Sequence, residues 1–275
     1  MFTERELPPA LASIRDDHAP GARCFDCERD FDTVDPPFLD DLATMADSLE
    51  PLSYPTEWVP PSAPEILPRI AGSDLVIGYP EHGSVTWTCQ TDPPTVLIKP
   101  RARSSPSAFV DFLIAEAFVE IGTDLPEHFL GFFEDHYRTL GTTLDPGDRY
   151  QLAAALYDAY VGLYTRDVFD SWVDRYPALH DAYVDAGERL TPRVSDVIGE
   201  VGRGTTTFPD AAELACAGVK HDLDLPAPFD ALDTAIYREH GAEYASRWTE
   251  KVLAATAEVS DDDLDDEPSV SEPDR

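Results

Sequence analysis

Glu116 and Glu120 stand four residues apart in "AFVDFLIAEAFVEIG", a stretch that is otherwise apolar on nearly every side. Residues i and i+4 share one face of a helix, and a helix apolar all round is buried. A buried carboxylate demands a cation or hydrogen-bond donors. In the next helical pattern His136 falls on the stripe of Phe129, Phe132, Phe133, Tyr137 and Leu140. Two carboxylates and an imidazole on neighbouring helices are a ligand set for a divalent metal. Glu116, Glu120 and His136 are therefore candidate metal ligands of a metal-dependent enzyme, and no other cofactor is predicted. A plainer reading stands beside this one. A lone histidine on an apolar face is a hydrogen-bonded core residue, and Arg149 or Arg166 would neutralise the glutamates without metal. The chain has no E-x-x-H and no H-E-x-x-H. Glu127 with Asp124 matches a capping box at the start of the second helix.

The most basic stretch is "KPRARSSPS", Lys99 to Ser107. In extended backbone Lys99, Arg101 and Arg103 alternate onto one face. They lead to Ser104 or Ser105 as N-cap and Pro106 as first helical residue. Free N–H groups at a helix start attract anions, and adjacent cations strengthen the attraction. Lys99, Arg101, Arg103 and Ser105 thus form a candidate anion site at a strand-to-helix junction, for a small anion or the acidic group of a protein partner. The competing expectation is that these cations pair with carboxylates such as Asp92 or Asp111.

Cys24-Phe-Asp-Cys27 has the spacing of half a zinc site or of a redox disulfide. Neither Cys89 nor Cys216 has a second cysteine at chelating distance in the sequence. Asp26, Glu28 and Asp30 should raise the two thiol pKa values, the wrong direction for a reactive thiolate. If the segment is extended, the two cysteines point to opposite faces. Ordinary buried cysteines are expected. Tyr150, Tyr157, Tyr160, Tyr164 and Trp172 repeat at helical spacing, which reads as core with hydroxyls reaching the surface; a ligand pocket is the other use of such a stripe. "VGRGTTTF" (201–208) follows a helix rather than a strand, so it is no phosphate loop. There is no G-x-S-x-G nucleophile elbow.

The elements that must position these residues follow from periodicity. A short helix is expected over 3–17, a strand over 22–26, and a helix carrying Phe38, Leu42, Met45 and Leu49. Six prolines between 51 and 68 predict ordered coil. "DLVIGYP" (74–80), "GSVTWTCQ" (83–90) and "PTVLIKPR" (94–101) read as strands joined by the short loops "EHG" and "TDPP". The expectation is a three-stranded antiparallel β-meander over about 74–101. Helices are expected near 106–121, 125–140, 147–175, 178–189, 191–201, 208–221 and 228–257, with prolines at most of their starts. Three strands cannot bury a face alone, so the helical array should cover them. The fold class predicted is α+β, mainly helical, as one domain over 1–259, with 260–275 a disordered acidic tail.

Composition restricts function further. There are 54 acidic residues against 20 basic ones, a formal net charge of −34. Only Lys99, Lys220 and Lys251 are lysines; the other basic residues are arginines. An acidic, lysine-poor surface suits molar salt, where the Debye length falls to about 3 Å and crowded carboxylates barely repel. Disorder is the competing source of high charge, but disordered chains are poor in aromatics, whereas this one has 13 Phe, 11 Tyr and 4 Trp. The global field repels DNA and anionic membrane, excluding nonspecific binding to either. No basic start followed by an apolar run suggests a secretory signal, and the longest apolar stretch is too short and interrupted to span a bilayer. A cytoplasmic protein is expected.

The stretches "YPTEWVPPSAPEILPRIAGSD", "GSVTWTCQTDPPTVLIKPR", "FVDFLIAEAFVEIG" and "PEHFLGFF" resemble an uncharacterised family of haloarchaeal proteins, over most of the chain apart from the acidic tail. The resemblance implies a halophilic, cytoplasmic protein and brings no activity, cofactor or catalytic residue with it. The leading expectation is a noncatalytic binding or regulatory protein; the alternative is the metal-dependent enzyme, and a structural subunit of an assembly is third.

Overall fold

Thr95, Val96, Leu97 and Ile98 are all buried, so the strand they form needs cover on both faces and a partner on each edge. One sequence neighbour cannot supply two edges, and this shapes the sheet. The protein is described here by a computed structural model over residues 2–79 and 83–262. It begins with β1 (Phe2–Glu4), α1 (Pro9–His18), β2 (Arg23–Cys27), α2 (Pro36–Ala43), β3 (Ser48–Leu49) and α3 (Ile66–Ala71). β4 (Val85–Thr88), β5 (Thr91–Asp92) and β6 (Thr95–Ile98) lead into α4 (Ser107–Ile121) and the short α5 (Phe129–Phe133). Then come α6 (Pro146–Asp170), α7 (Pro177–Gly202), α8 (Phe208–Lys220) and α9 (Ala235–Asp262).

The main sheet has the order β1-β2-β6-β4. β2 runs parallel to β6, with Arg23 opposite Thr95, while β1 and β4 are antiparallel to their neighbours. The antiparallel meander expected over 74–101 is therefore corrected to a small mixed sheet. Residues 74–79 form no strand; Ile77 instead accepts a bond from the Val34 N–H through its carbonyl, at 2.9 Å. Most of the "EHG" loop lies outside the described residues. β3 and β5 make a separate two-residue ladder.

The protein is mainly helical, and α4 and α8 lie within a residue or so of the expected ranges. The two helices expected over 178–189 and 191–201 are one, α7, because Pro192 sits on an exposed face where water can serve the carbonyl it leaves unbonded. The helix expected over 125–140 is broken. α5 lasts five residues, Glu134 turns to φ 52°, and Glu134–Arg138 is a 3₁₀ helix. The first expected helix is split into β1 and α1, and the 228–257 helix into a 3₁₀ turn (Phe229–Leu232) and α9. Gly241 interrupts α9 at φ 48°, ψ −123°. α9 runs to Asp262, so the first three residues of the expected tail are helical; residues 263–275 lie outside the described residues. No helix among the described residues is long and apolar enough to cross a membrane.

Side-chain alternation divides the packing. From the sheet, Cys24, Val96 and Ile98 join Phe112, Phe118, Phe169 and Trp172 under α4. Phe25, Cys27 and Leu97 point the other way, to Phe38 and Leu42 of α2. A third cluster, with Phe133, Leu156, Ala215 and Tyr237, fills the space among α5, α6, α8 and α9. α6 and α8 meet most closely where Gly162 faces the end of α8. A Cβ at position 162 would lie 3.0 Å from the Lys220 backbone nitrogen and 3.1 Å from its Cα. Gly162→Ala is expected to push the two backbones apart and destabilise by about 1–3 kcal/mol, read as a fall of several degrees in melting temperature. An unchanged melting temperature would show that the helices are not held at this distance.

Candidate functional site

The close approach at Gly162 places Lys220, the last residue of α8, opposite α4. Its Nζ lies 2.5 Å from Glu116 Oε1, a close ion pair rather than a well-aligned hydrogen bond. One turn along α4, Glu120 Oε2 accepts a 2.6 Å bond from the indole Nε1–H of Trp87 on β4. Asp158 of α6 faces the same space. Together these side chains line a cavity of about 540 Å³, with Tyr150, Tyr157, Phe129, Glu213 and Cys216 also in its wall. Tyr157 is fixed by donating its hydroxyl proton to the Pro126 carbonyl.

Burial governs the ionisation of this group. It pushes the Glu120 carboxyl up to about 8, reinforced by the negative charge of Glu116 and opposed by Lys220. Asp158 goes up to about 7 for the same first reason, with no hydrogen bond to restrain it. Asp158 keeps ample accessible surface and lines the cavity. That surface therefore opens onto the cavity. Lys220 is pulled down by burial but raised more by Glu116, Glu120 and Asp158, so it stays above the ordinary lysine value. The surroundings thus favour the neutral form of Glu120 and of Asp158, beside the Glu116–Lys220 ion pair.

The pH dependence follows with a definite sign. The native chain keeps the Glu120 proton to about pH 8, whereas an unfolded chain releases it near the ordinary value of 4.5. The resulting stability is complete below about pH 4.5 and is lost as pH rises through 8. Glu120→Gln keeps an acceptor for Trp87 and removes the titration. It should change little at pH 5 and stabilise above pH 8. One pKa unit is about 1.4 kcal/mol, and coupling to its neighbours reduces the gain to roughly 2 kcal/mol. Thermal melts of both proteins across that range check this; parallel curves would mean Glu120 is ionised throughout.

The other candidates lie elsewhere. His136 is half-buried in the 3₁₀ helix Glu134–Arg138 and does not line the cavity. The stripe that placed it near the glutamates assumed a continuous helix, which the break at Glu134 removes. Among the described residues no group of three or more His, Cys, Asp or Glu side chains could hold a metal ion. Arg166 pairs with Asp222 and Asp233 at 3.1 and 2.7 Å, so it does not neutralise the glutamates, and Arg149 does not line the cavity. Glu127 is no helix cap. It accepts from Thr88 Oγ1, the Cys89 N–H and Gln90 Nε2 at 2.7, 2.7 and 2.8 Å, tying down the turn after β4. His128 caps α5 in its place, its Nδ1 accepting from the Leu130 N–H at 3.0 Å.

At the basic stretch, Pro100–Ser104 is a 3₁₀ helix, so the expected extended alternation is lost. Arg101 turns to Asp30 (2.7 Å) and Asp32 (3.0 Å), carboxylates other than the expected Asp92 or Asp111. Lys99 is fully buried, its ammonium 4.7 Å from the centre of the Phe31 ring. Burial first, and Arg101 second, lower its pKa to about 8. Lys99, Arg103 and Ser105 still share a recess of about 260 Å³ with Arg5, Asp26 and Ser107, but Arg101 has left it. Neither Ser104 nor Ser105 caps α4, which starts at Ser107 after Pro106 with no side-chain cap.

Cys24 and Cys27 are free thiols on opposite faces of β2, and burial pushes both up to about 12. Of the aromatic stripe, Tyr150 and Tyr157 line the cavity, while Trp172 packs under α4.

Sequence reasoning picked out Glu116 and Glu120 but passed over Lys220 and Asp158. Both left a signal: Lys220 is one of three lysines and ends the apolar "AAELACAGVK", and Asp158 is the one acid within "AAALYDAYVGLYT". No curated protein and no solved structure matches the chain. One family does, over residues 1–256. The chain belongs to the family described as "Family of unknown function (DUF7089)".

Proposed function

We propose that this chain is a noncatalytic binding protein whose small-molecule ligand occupies the cavity between α4, α6 and α8. One observation carries the reading: Asp158, a carboxyl with no hydrogen bond from the protein, opens its accessible surface onto space of about 540 Å³. That volume is within the range of ligand sites, whose walls are mostly apolar with a few polar groups. A polar group with no protein partner inside a concave wall is free to orient a ligand, and a fold selected for stability alone would fill the space. The setting we propose is the salt-rich cytoplasm of a haloarchaeon, which the net charge of −34 and the scarcity of lysine support.

The test is a thermal-shift and native mass-spectrometry screen of small molecules against the wild type and against Ala154→Leu, which narrows the cavity from α6. Ligands should raise the wild-type melting temperature, with about 2.7 kcal/mol of stabilisation at a hundredfold excess over Kd. They should lose that effect in the narrowed variant. If nothing binds and the narrowed variant is simply more stable, the cavity is a packing defect.

A second reading has one observation in its favour. Glu116 and Glu120 share the cavity wall, as a divalent metal in a metal-dependent enzyme would require. The Lys220 ammonium already holds the cation position beside Glu116. Elemental analysis of protein purified without chelator decides between them; about one equivalent of metal, with loss of the Lys220 pairing, overturns the first reading.

A further inference from the structure

The carboxyl groups in the cavity wall belong to Glu116, Glu120, Glu127, Asp158 and Glu213, against a single lysine. Most are committed. Glu116 is paired with Lys220, Glu127 holds the turn after β4, and Glu213 accepts from Gln151 Nε2 at 2.8 Å. Glu120 has given one oxygen to Trp87, and Asp158 has given none. These two sit on different helices, α4 and α6, and line the same cavity. The uncommitted groups are thus acceptors in want of a positively charged donor. The Lys220 ammonium beside Glu116 occupies the place a metal would take between the α4 carboxylates, and among the described residues no group of three or more ligating side chains stands here. The wall also carries Trp87, Tyr157 and Phe129, rings of the kind that attract organic cations.

We propose that the occupant is a small organic cation, with an ammonium or guanidinium group held by Asp158 and Glu120 and an apolar body against Trp87, Tyr157 and Phe129. This rests on the reading of the cavity as a binding site. A cation there replaces the proton that Glu120 otherwise retains and supplies Asp158 with its missing donor.

Isothermal titration of the full chain with phenethylamine, 2-phenylethanol and phenylacetate tests the charge preference on bodies of similar size. Molar KCl in the cell screens loose attraction of amines to the acidic surface. The expected result is binding of phenethylamine alone. Asp158→Asn and Glu120→Gln, each near-isosteric, should weaken it roughly 10–100-fold, the worth of one hydrogen bond to a charged group. Glu188→Gln, which removes an exposed carboxylate on α7, should leave it unchanged. If the alcohol or the carboxylate binds as tightly as the amine, the cation preference is wrong while the binding reading stands. If the two cavity variants bind the amine like the wild type, the cation sits elsewhere and the inference falls. If none of the three compounds binds, the inference falls, and the binding reading is decided by the screen against Ala154→Leu.

Discussion

Lys220→Met is expected to lower the melting temperature by roughly 5–15 °C. The Glu116 side chain keeps only 9% of its accessible surface, and the Lys220 ammonium at 2.5 Å is its close cationic partner. Removing one member of a fully buried ion pair costs about 3–5 kcal/mol, because the other is left as an uncompensated charge. Lys220 retains 27% of its surface, so water can enter and the loss falls to about 2–4 kcal/mol. Each kcal/mol is worth about 2–4 °C in a domain of this size class. The double variant Lys220→Met with Glu116→Gln should recover most of the loss, since the stranded charge goes too. If the two losses simply add, the pair is not coupled and the site has been misread.

Salt should have an effect larger still. A net charge of −34 on 275 residues repels itself across the whole surface in dilute buffer. Between 0.1 and 1 M the screening length falls from about 10 Å to about 3 Å, and the repulsion largely disappears. The melting temperature should therefore climb steeply from dilute buffer to molar KCl, by more than the loss of Lys220 costs. A flat curve would remove the basis for a halophilic protein. The two effects should also separate: surface repulsion is screened, but the sheltered Glu116–Lys220 pair is not. The deficit of Lys220→Met should be nearly the same at both ends of the salt range.

The elements legible in the sequence were those whose signals are local. Pro106 and Pro209 mark helix starts, and the apolar residues behind them are enough to define α4 and α8. Strand partners are not local. Nothing in "PTVLIKPR" says that its second edge is filled by "RCFDC", although a strand buried on both faces required some partner there. The site was half legible for the same reason. Glu116 and Glu120 stand out because their own helix is apolar all round. Asp158 and Lys220 look like ordinary surface charges until Gly162 brings α8 down onto α6. His136 falls away from the glutamates at a break at Glu134 that only a left-handed backbone angle reveals, and the pairing expected for Arg101 goes to Asp30 and Asp32, which lie some 70 residues away and leave no local signal.

The parallel pairing of β2 with β6 also bears on how the chain is made. Thr95 follows its partner Arg23 by 72 residues. At about 5–20 residues per second, a ribosome needs roughly 4–14 s to deliver the second strand after the first. During that interval β1 can already lie against β2, but the other edge of β2 has no companion and Phe25 has no Leu97 beside it. An unpaired edge next to exposed apolar side chains is where nascent chains join one another wrongly. The centre of the sheet is thus among the last parts of the first hundred residues to be completed during synthesis, and the excess of acidic residues in that segment opposes the approach of neighbouring nascent copies while it waits.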